Sequence, residues 1–313
     1  MSPRGAARRA TALLDHELLV VTGKGGVGKT TVATALGVTA ARRGLRVIVA
    51  EVALRDDVRA TLGAAEAGRD REVELAFGVH HTSIDPDLAM REYLVDQLGS
   101  RTLADTLGGS RAFTYLAAAT PGLRELLTIG KVWELAQEDR RAAGGRPYDL
   151  VILDAPATGH GVAVLSAPRT FARTAAAGRI ARHATIIDGL ISDPSRTAVV
   201  AVARPEELPV NEAIELDRAL EAELGLPLTL VVVNRVVAGR FSAAEAAQLA
   251  AAPDSPAISA ARERLRHARG QRAQVARLRR GVRCPVATVH ELFHPALDAG
   301  AIRTLAGDLE RAL

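Results

Sequence analysis

The chain has 313 residues, of which 48% are hydrophobic and 24% charged, and it carries a formal net charge of +4. That balance can bury a core and excludes a disordered, collagen-like or fibrous chain, while the length suits one large α/β domain or two small ones. A single cysteine, Cys284, excludes a disulfide framework and a multi-thiolate metal site built within one chain.

In chain order, residues 1–16 read as a basic tail with Arg4, Arg8 and Arg9 and no apolar core of signal-peptide length. No apolar run reaches the roughly 18 residues of a membrane span, so a cytoplasmic location is expected. Apolar, β-branched runs predict strands at Leu18–Thr22, Leu45–Val52, Leu150–Asp154, Thr197–Ala203, Leu228–Asn234 and Val286–Val289. Near-continuous runs of this kind suit strands buried on both faces of a parallel sheet. Helical stretches lie between them, among them Lys29–Arg43 and Glu206–Leu224, the second opening beside Pro205. The alternation predicts an α/β fold: a mostly parallel sheet of the P-loop type with helices on both faces. The interval from about residue 85 to 146 lacks a clear strand and reads as a helical insertion; a shorter helical segment is expected over about 169–193. Residues 17–313 are therefore expected to form one domain.

Of the 40 basic residues only three are lysine, and two of these, Lys24 and Lys29, stand within six residues of each other. Arginine is a planar fork and lysine a compact point charge, so their retention here points to a phosphate site. The segment Gly23-Lys24-Gly25-Gly26-Val27-Gly28-Lys29-Thr30-Thr31 follows a strand and precedes a helix. It satisfies the P-loop spacing: its glycines leave room for backbone N–H groups to wrap phosphates at a helix N-terminus. Lys29 would bridge the β- and γ-phosphates of ATP, and the Thr30 hydroxyl would ligate Mg²⁺.

A second lysine directly after the first glycine resembles the deviant Walker A of the group containing ParA, MinD, nitrogenase iron protein and the ArsA/Get ATPases. That resemblance implies that Lys24 reaches the nucleotide of a facing subunit. The stretch Leu150–Pro168, LVILDAPATGHGVAVLSAP, narrows the choice. Its strand ends in Asp154, as in a Walker B carboxylate near Mg²⁺, and Ala155–His160 resembles the D-T-A-P-T-G-H switch of ArsA and Get-type ATPases. ParA and MinD chains lack the T-G-H element. The segments TPGLRELL and IDPDLAMREY extend the resemblance, as does Asn234 at a strand end, which in that family meets the adenine edge. Arg235 either lies against the base or faces solvent.

The chain also departs from the family pattern. Where the family reads D-P-A-H-N, with an aspartate that orients the attacking water, this chain has Glu51-Val52-Ala53-Leu54-Arg55. Glu51 keeps a carboxylate with one more methylene, and because water positioning depends on geometry at the scale of an ångström, slow turnover is expected. The cysteines of arsenite-pump subunits, the zinc C-x-x-C pair of Get-type dimers and their methionine-rich client helices are all missing.

Between Arg262 and Arg283 there are nine arginines, one acid and no aromatic residue. Without stacking residues this reads as a solvated helix face, and no specific nucleic-acid binding is expected, although peripheral membrane contact stays open. The resulting expectation is a Mg²⁺-dependent ATPase of the ArsA/Get type. It would act as a homodimer, or as a heterodimer with a paired homologous ATPase, on an unidentified protein client. A ParA/MinD-like positioning ATPase and a hydrolysis-impaired subunit of a heterodimer are the alternatives.

Overall fold

The computed structural model describes residues 13–52, 56–63, 71–100, 122–138, 146–174, 178–294 and 296–313, with 102, 106, 110 and 120 singly. The side chains of residues 96–98, 158–160 and 179 are outside that description. So are residues 1–12 of the expected basic tail, Ala53–Arg55, and most of the insertion between 101 and 121.

Eight strands are described: β1 Leu18–Gly23, β2 Val47–Val52, β3 Val73–Glu74, β4 His80–Ile84, β5 Leu150–Ala157, β6 Thr197–Ala203, β7 Leu230–Val236 and β8 Val286–His290. They form one sheet in the order β3-β4-β2-β5-β1-β6-β7-β8. All neighbours are parallel except β3, which runs antiparallel to β4 at the edge. β1 lies between β5 and β6, two later strands, while the chain leaves it for β2 beyond β5. The loop after β1 therefore opens at the carboxyl ends of the central strands, where ligands bind in open α/β sheets.

The helices are α1 Lys29–Arg42, α2 Asp57–Leu62, α3 Pro86–Leu98, α4 Leu123–Leu135, α5 Thr158–Thr174, α6 Arg179–Ile191, α7 Glu207–Leu224, α8 Ala243–Ala251, α9 Pro256–Gly281 and α10 Ala299–Ala312. Alternation along the strands divides the core in two. Leu18, Val20, Ile48, Ala50, Val151 and Leu153 pack with α4–α7 and α9. Leu19, Val21, Val47, Val49, Leu150 and Ile152 pack with α1, α2 and α10.

Local chemistry sets the helix starts. Asp85 accepts from the Asp87 amide ahead of Pro86, and Ser255 caps α9 ahead of Pro256. Ser242 and Glu245 close a full capping box on α8, a helix that apolar periodicity did not signal. Pro205 stands outside α7, before its N-cap Glu206, rather than at its first helical position.

The six strands expected from apolar runs are present, but β3 and β4 were not legible in that way. β4 reads His-His-Thr-Ser-Ile, a polar run, yet His81, Thr82 and Ser83 are buried. Its edge hairpin turns at Phe77 and Gly78, both with positive φ. His80 packs edge-on to Tyr148 at 5.3 Å between ring centroids, and burial, with the Arg46 guanidinium beside it, holds its pKa below the ordinary value. β4 ends at Ile84, and α3 and α4 lie between it and β5. Lys131 of α4 joins the two, 2.9 Å from Glu92 and 2.8 Å from Glu134. None of the described helices is long and apolar enough to cross a membrane.

Candidate functional site

The loop Gly23–Gly28 leaves β1 and enters α1 through two glycines that no other residue could replace unchanged. Gly23 has φ +147°, and a Cβ there would lie 2.2 Å from the Val202 carbonyl oxygen. Gly28 has φ +95°, and its Cβ would lie 2.4 Å from Asn234 Nδ2. At Gly25 and Gly26 an added Cβ would meet nothing within 4 Å, so the outer rim of the loop faces open space. Gly28 is the N-cap of α1 and no side chain caps that helix, which leaves its first amides directed at the loop's hollow.

Lys29 opens α1 and donates to the carbonyl of Lys24 at 3.3 Å, across the loop. Thr30 Oγ1 donates to Asp154 Oδ2 at 2.5 Å, bringing together two residues 124 positions apart. Both are hard oxygen donors, the type that holds Mg²⁺, and two protein donors leave the rest of its shell to phosphate and water. Among the described residues no group of three or more His, Cys, Asp or Glu could hold a metal ion.

Asn234 lies in β7 against the loop, where the pairing with β8 shifts register between Val233 and Val236. Its Nδ2 donates to the Val27 carbonyl at 2.9 Å, and its Oδ1 accepts from the Arg235 amide at 2.9 Å. The amide expected at a base edge thus pins the loop to the sheet and sets the next residue, Arg235, at φ 59°. An open hollow of about 950 Å³ lies beside it, walled by Val27, Thr31, Asn234, Arg235, His290 and Leu297.

Glu51 and Asp154 are register partners on β2 and β5, so both side chains leave the same face of the sheet. Their surroundings differ. Glu51 is 1% exposed; it accepts from the amides of Asp57 (3.2 Å) and Val58 (3.0 Å) at the start of α2, and from His81 Nε2 at 2.8 Å. A carboxylate oxygen accepts, so Nε2 is the donor in this contact, and among the described residues the buried Nδ1 has no hydrogen-bond partner. The structure therefore gathers Lys24, Lys29, Thr30 and Asp154 around the loop, with Asn234 below it, and holds the Glu51 carboxylate on α2 and β4.

Three neighbours escaped the sequence reading. His81 sits in an inconspicuous polar strand. Glu212, on α7, lies 2.5 Å from Lys24 Nζ. Gly161 brings the start of α5 against β1, where a Cβ would come 2.6 Å from Thr22 Oγ1. Only Gly161 carried a local signal, as the glycine directly after the T-G-H element.

The sequence pattern of the anion-transporting ATPases, ArsA type, matches residues 16–191, more than half the chain. The chain belongs to this family. ATPase BagA of Mycobacterium tuberculosis is 30% identical over 239 residues, covering 74% of this chain and 69% of its own. The arsenical pump-driving ATPase of Acidiphilium multivorum is 28% identical over 242 residues, covering 70% of this chain and 39% of its own. An Escherichia coli protein of the same name is 29% identical over 218 residues, 66% of this chain and 33% of its own. The ArsA-type chain described here is accordingly an ATP hydrolase with an eight-stranded, mostly parallel sheet.

Proposed function

We propose that this chain binds Mg·ATP in the loop Gly23–Thr31 and uses its hydrolysis to close and open a dimer. The Thr30–Asp154 contact at 2.5 Å, beside an α1 start that no side chain caps, carries this reading. When bound, Mg·ATP supplies the transferable phosphoryl group and the cation that neutralises its charge. The chain's own residues bind and orient it. Backbone amides from Gly25 to Thr31 would line the phosphates, and Lys29, which rests on the Lys24 carbonyl, would leave it for them. Thr30 and Asp154 would hold Mg²⁺. Asn234 and Arg235 face the base through the hydrogen-bonding capacity that their backbone contacts leave. Lys24, on the open rim, would meet the phosphates of a facing subunit, as the deviant Walker A pattern implies.

The arsenical pumps and BagA share this chain's family, but their names do not transfer a client. The proposed client surface is the helical insertion together with α6, where α3, α4 and α6 surround an apolar hollow walled by Leu126, Leu127, Trp133 and Ile187. Ile180 and Ile186 on α6 are 43% and 47% exposed beside it.

One observation favours a slower, partner-assisted subunit as the second reading. Glu51, which stands where the family has its water-orienting aspartate, is held by two amides and His81. Water activation then requires either that this carboxylate turn or that a paired subunit contribute.

The deciding experiment is calorimetry of Mg·ATP on the unsubstituted chain and on Lys29→Ala. Loss of several charge-assisted hydrogen bonds should abolish measurable binding in the variant. Equal affinity in both proteins overturns the assignment of the loop.

A further inference from the structure

Lys24 is held twice in the structure. Its carbonyl accepts from Lys29, and its ammonium lies 2.5 Å from Glu212 Oε1, on the second turn of α7 and 188 residues away. The pair is about one-third exposed on each side, 36% for Lys24 and 29% for Glu212. One helical turn before Glu212 on the same helix face, Leu208 is 63% exposed. The loop's other rim residues, Gly25 and Gly26, have no neighbours within 4 Å of an added Cβ, so Lys24 can leave Glu212 without dragging packed side chains.

We propose that Glu212 is a positioning residue for Lys24: it keeps the rim ammonium on the chain's own α7 until the phosphates of a facing subunit's ATP displace it. This rests on the dimer reading above and adds the group against which the nucleotide competes. An ion pair about one-third exposed is weak enough for a multiply charged phosphate chain to break. It still sets a threshold, because a ligand shifts an equilibrium only by its differential affinity for the two arrangements. ATP, with a third phosphate, crosses that threshold more readily than ADP. Glu212 thereby sharpens the difference between the two nucleotides and suppresses closure when only ADP is present. Leu208 exposed beside it puts the latch on the surface that closure would cover.

The test uses the full chain with Mg²⁺ and either ADP or a slowly hydrolysed ATP analogue, followed by light scattering across a protein-concentration series. Glu212→Gln keeps the shape of the side chain and removes its charge. It should lower the concentration for half-maximal association with the ATP analogue, by up to about fivefold for a pair of this exposure. It should also allow measurable association with ADP. The double variant Lys24→Ala/Glu212→Gln should behave as Lys24→Ala alone, because the two residues act as one unit. A purely structural role for Glu212 would instead give an effect that persists in the Lys24→Ala background, and that result overturns the proposal. So does an unchanged association midpoint in Glu212→Gln when the unsubstituted chain associates and Lys24→Ala does not. If the unsubstituted chain fails to associate with either nucleotide, the dimer reading falls and the latch with it.

Discussion

Glu51 and His81 meet at 2.8 Å in the interior of the sheet, 1% and 0% exposed, on adjacent parallel strands. The same carboxylate receives the first amides of α2, so one buried group joins β2, β4 and the helix that follows residues 53–55. A polar group so placed is tolerated because donors surround it on several sides.

This arrangement gives Glu51 two separable duties. Glu51→Gln retains shape and a carbonyl acceptor, so Mg·ATP affinity should hold while turnover falls, by about a hundredfold if the carboxylate orients water. Equal turnover in both proteins would restrict Glu51 to holding α2. His81→Ala leaves the buried carboxylate one donor short and should cost about 1–3 kcal/mol in denaturant unfolding.

Gly28 and Asn234 set a second test. Gly28→Ala places a Cβ where Asn234 Nδ2 lies, at a backbone φ of +95°. The strain of such a conformation is about 1–3 kcal/mol before the clash is counted. Calorimetry should show Mg·ATP binding lost. Adding Asn234→Ala relieves the clash and should recover part of the stability without restoring binding, because the φ cost stays and the tie to Val27 is gone. Full recovery of binding in the double variant would contradict the role given to the loop geometry.

Cys284 is pushed up to about 12, chiefly by burial and then by the Asp217 carboxylate. The thiolate is the reactive form, so labelling by a disulfide reagent at pH 8 should be slow in the folded chain and fast once denaturant is added. The sign for stability follows. A thiol whose folded pKa lies above its unfolded value binds its proton longer when folded, so its contribution is complete below about pH 8.5 and is lost as pH rises toward 12. Rapid stoichiometric labelling of the native chain at pH 8 would refute the burial argument.

Several arginines of the basic segment 262–283, which takes in most of α9 and the two residues after it, are tied to acceptors of the chain itself. Arg262 reaches Asp254 and the carbonyls of Leu249 and Ala252, closing the end of α8; Arg277 bonds Asn211; Arg283 pairs with Asp217. DNA binding at physiological ionic strength should accordingly be weak and unspecific. A sub-micromolar affinity with a steep salt slope, lost on charge reversal of Arg272 and Arg277, would reverse that expectation.

What the sequence determined by itself was whatever depends on neighbouring residues. The glycine spacing and two lysines between Gly23 and Thr31 define the loop because a phosphate cradle is a contiguous stretch of backbone. The strands β1, β2, β5, β6, β7 and β8 announced themselves as apolar runs because both faces of a covered sheet are dry. The tertiary structure decided the partners. β4 is polar by composition and becomes a buried strand only because Glu51 and its neighbours satisfy it. Asn234 finds Val27 across 207 residues and Lys24 finds Glu212 across 188. No periodicity encodes such pairs, since each depends on which strand ends the parallel topology brings side by side.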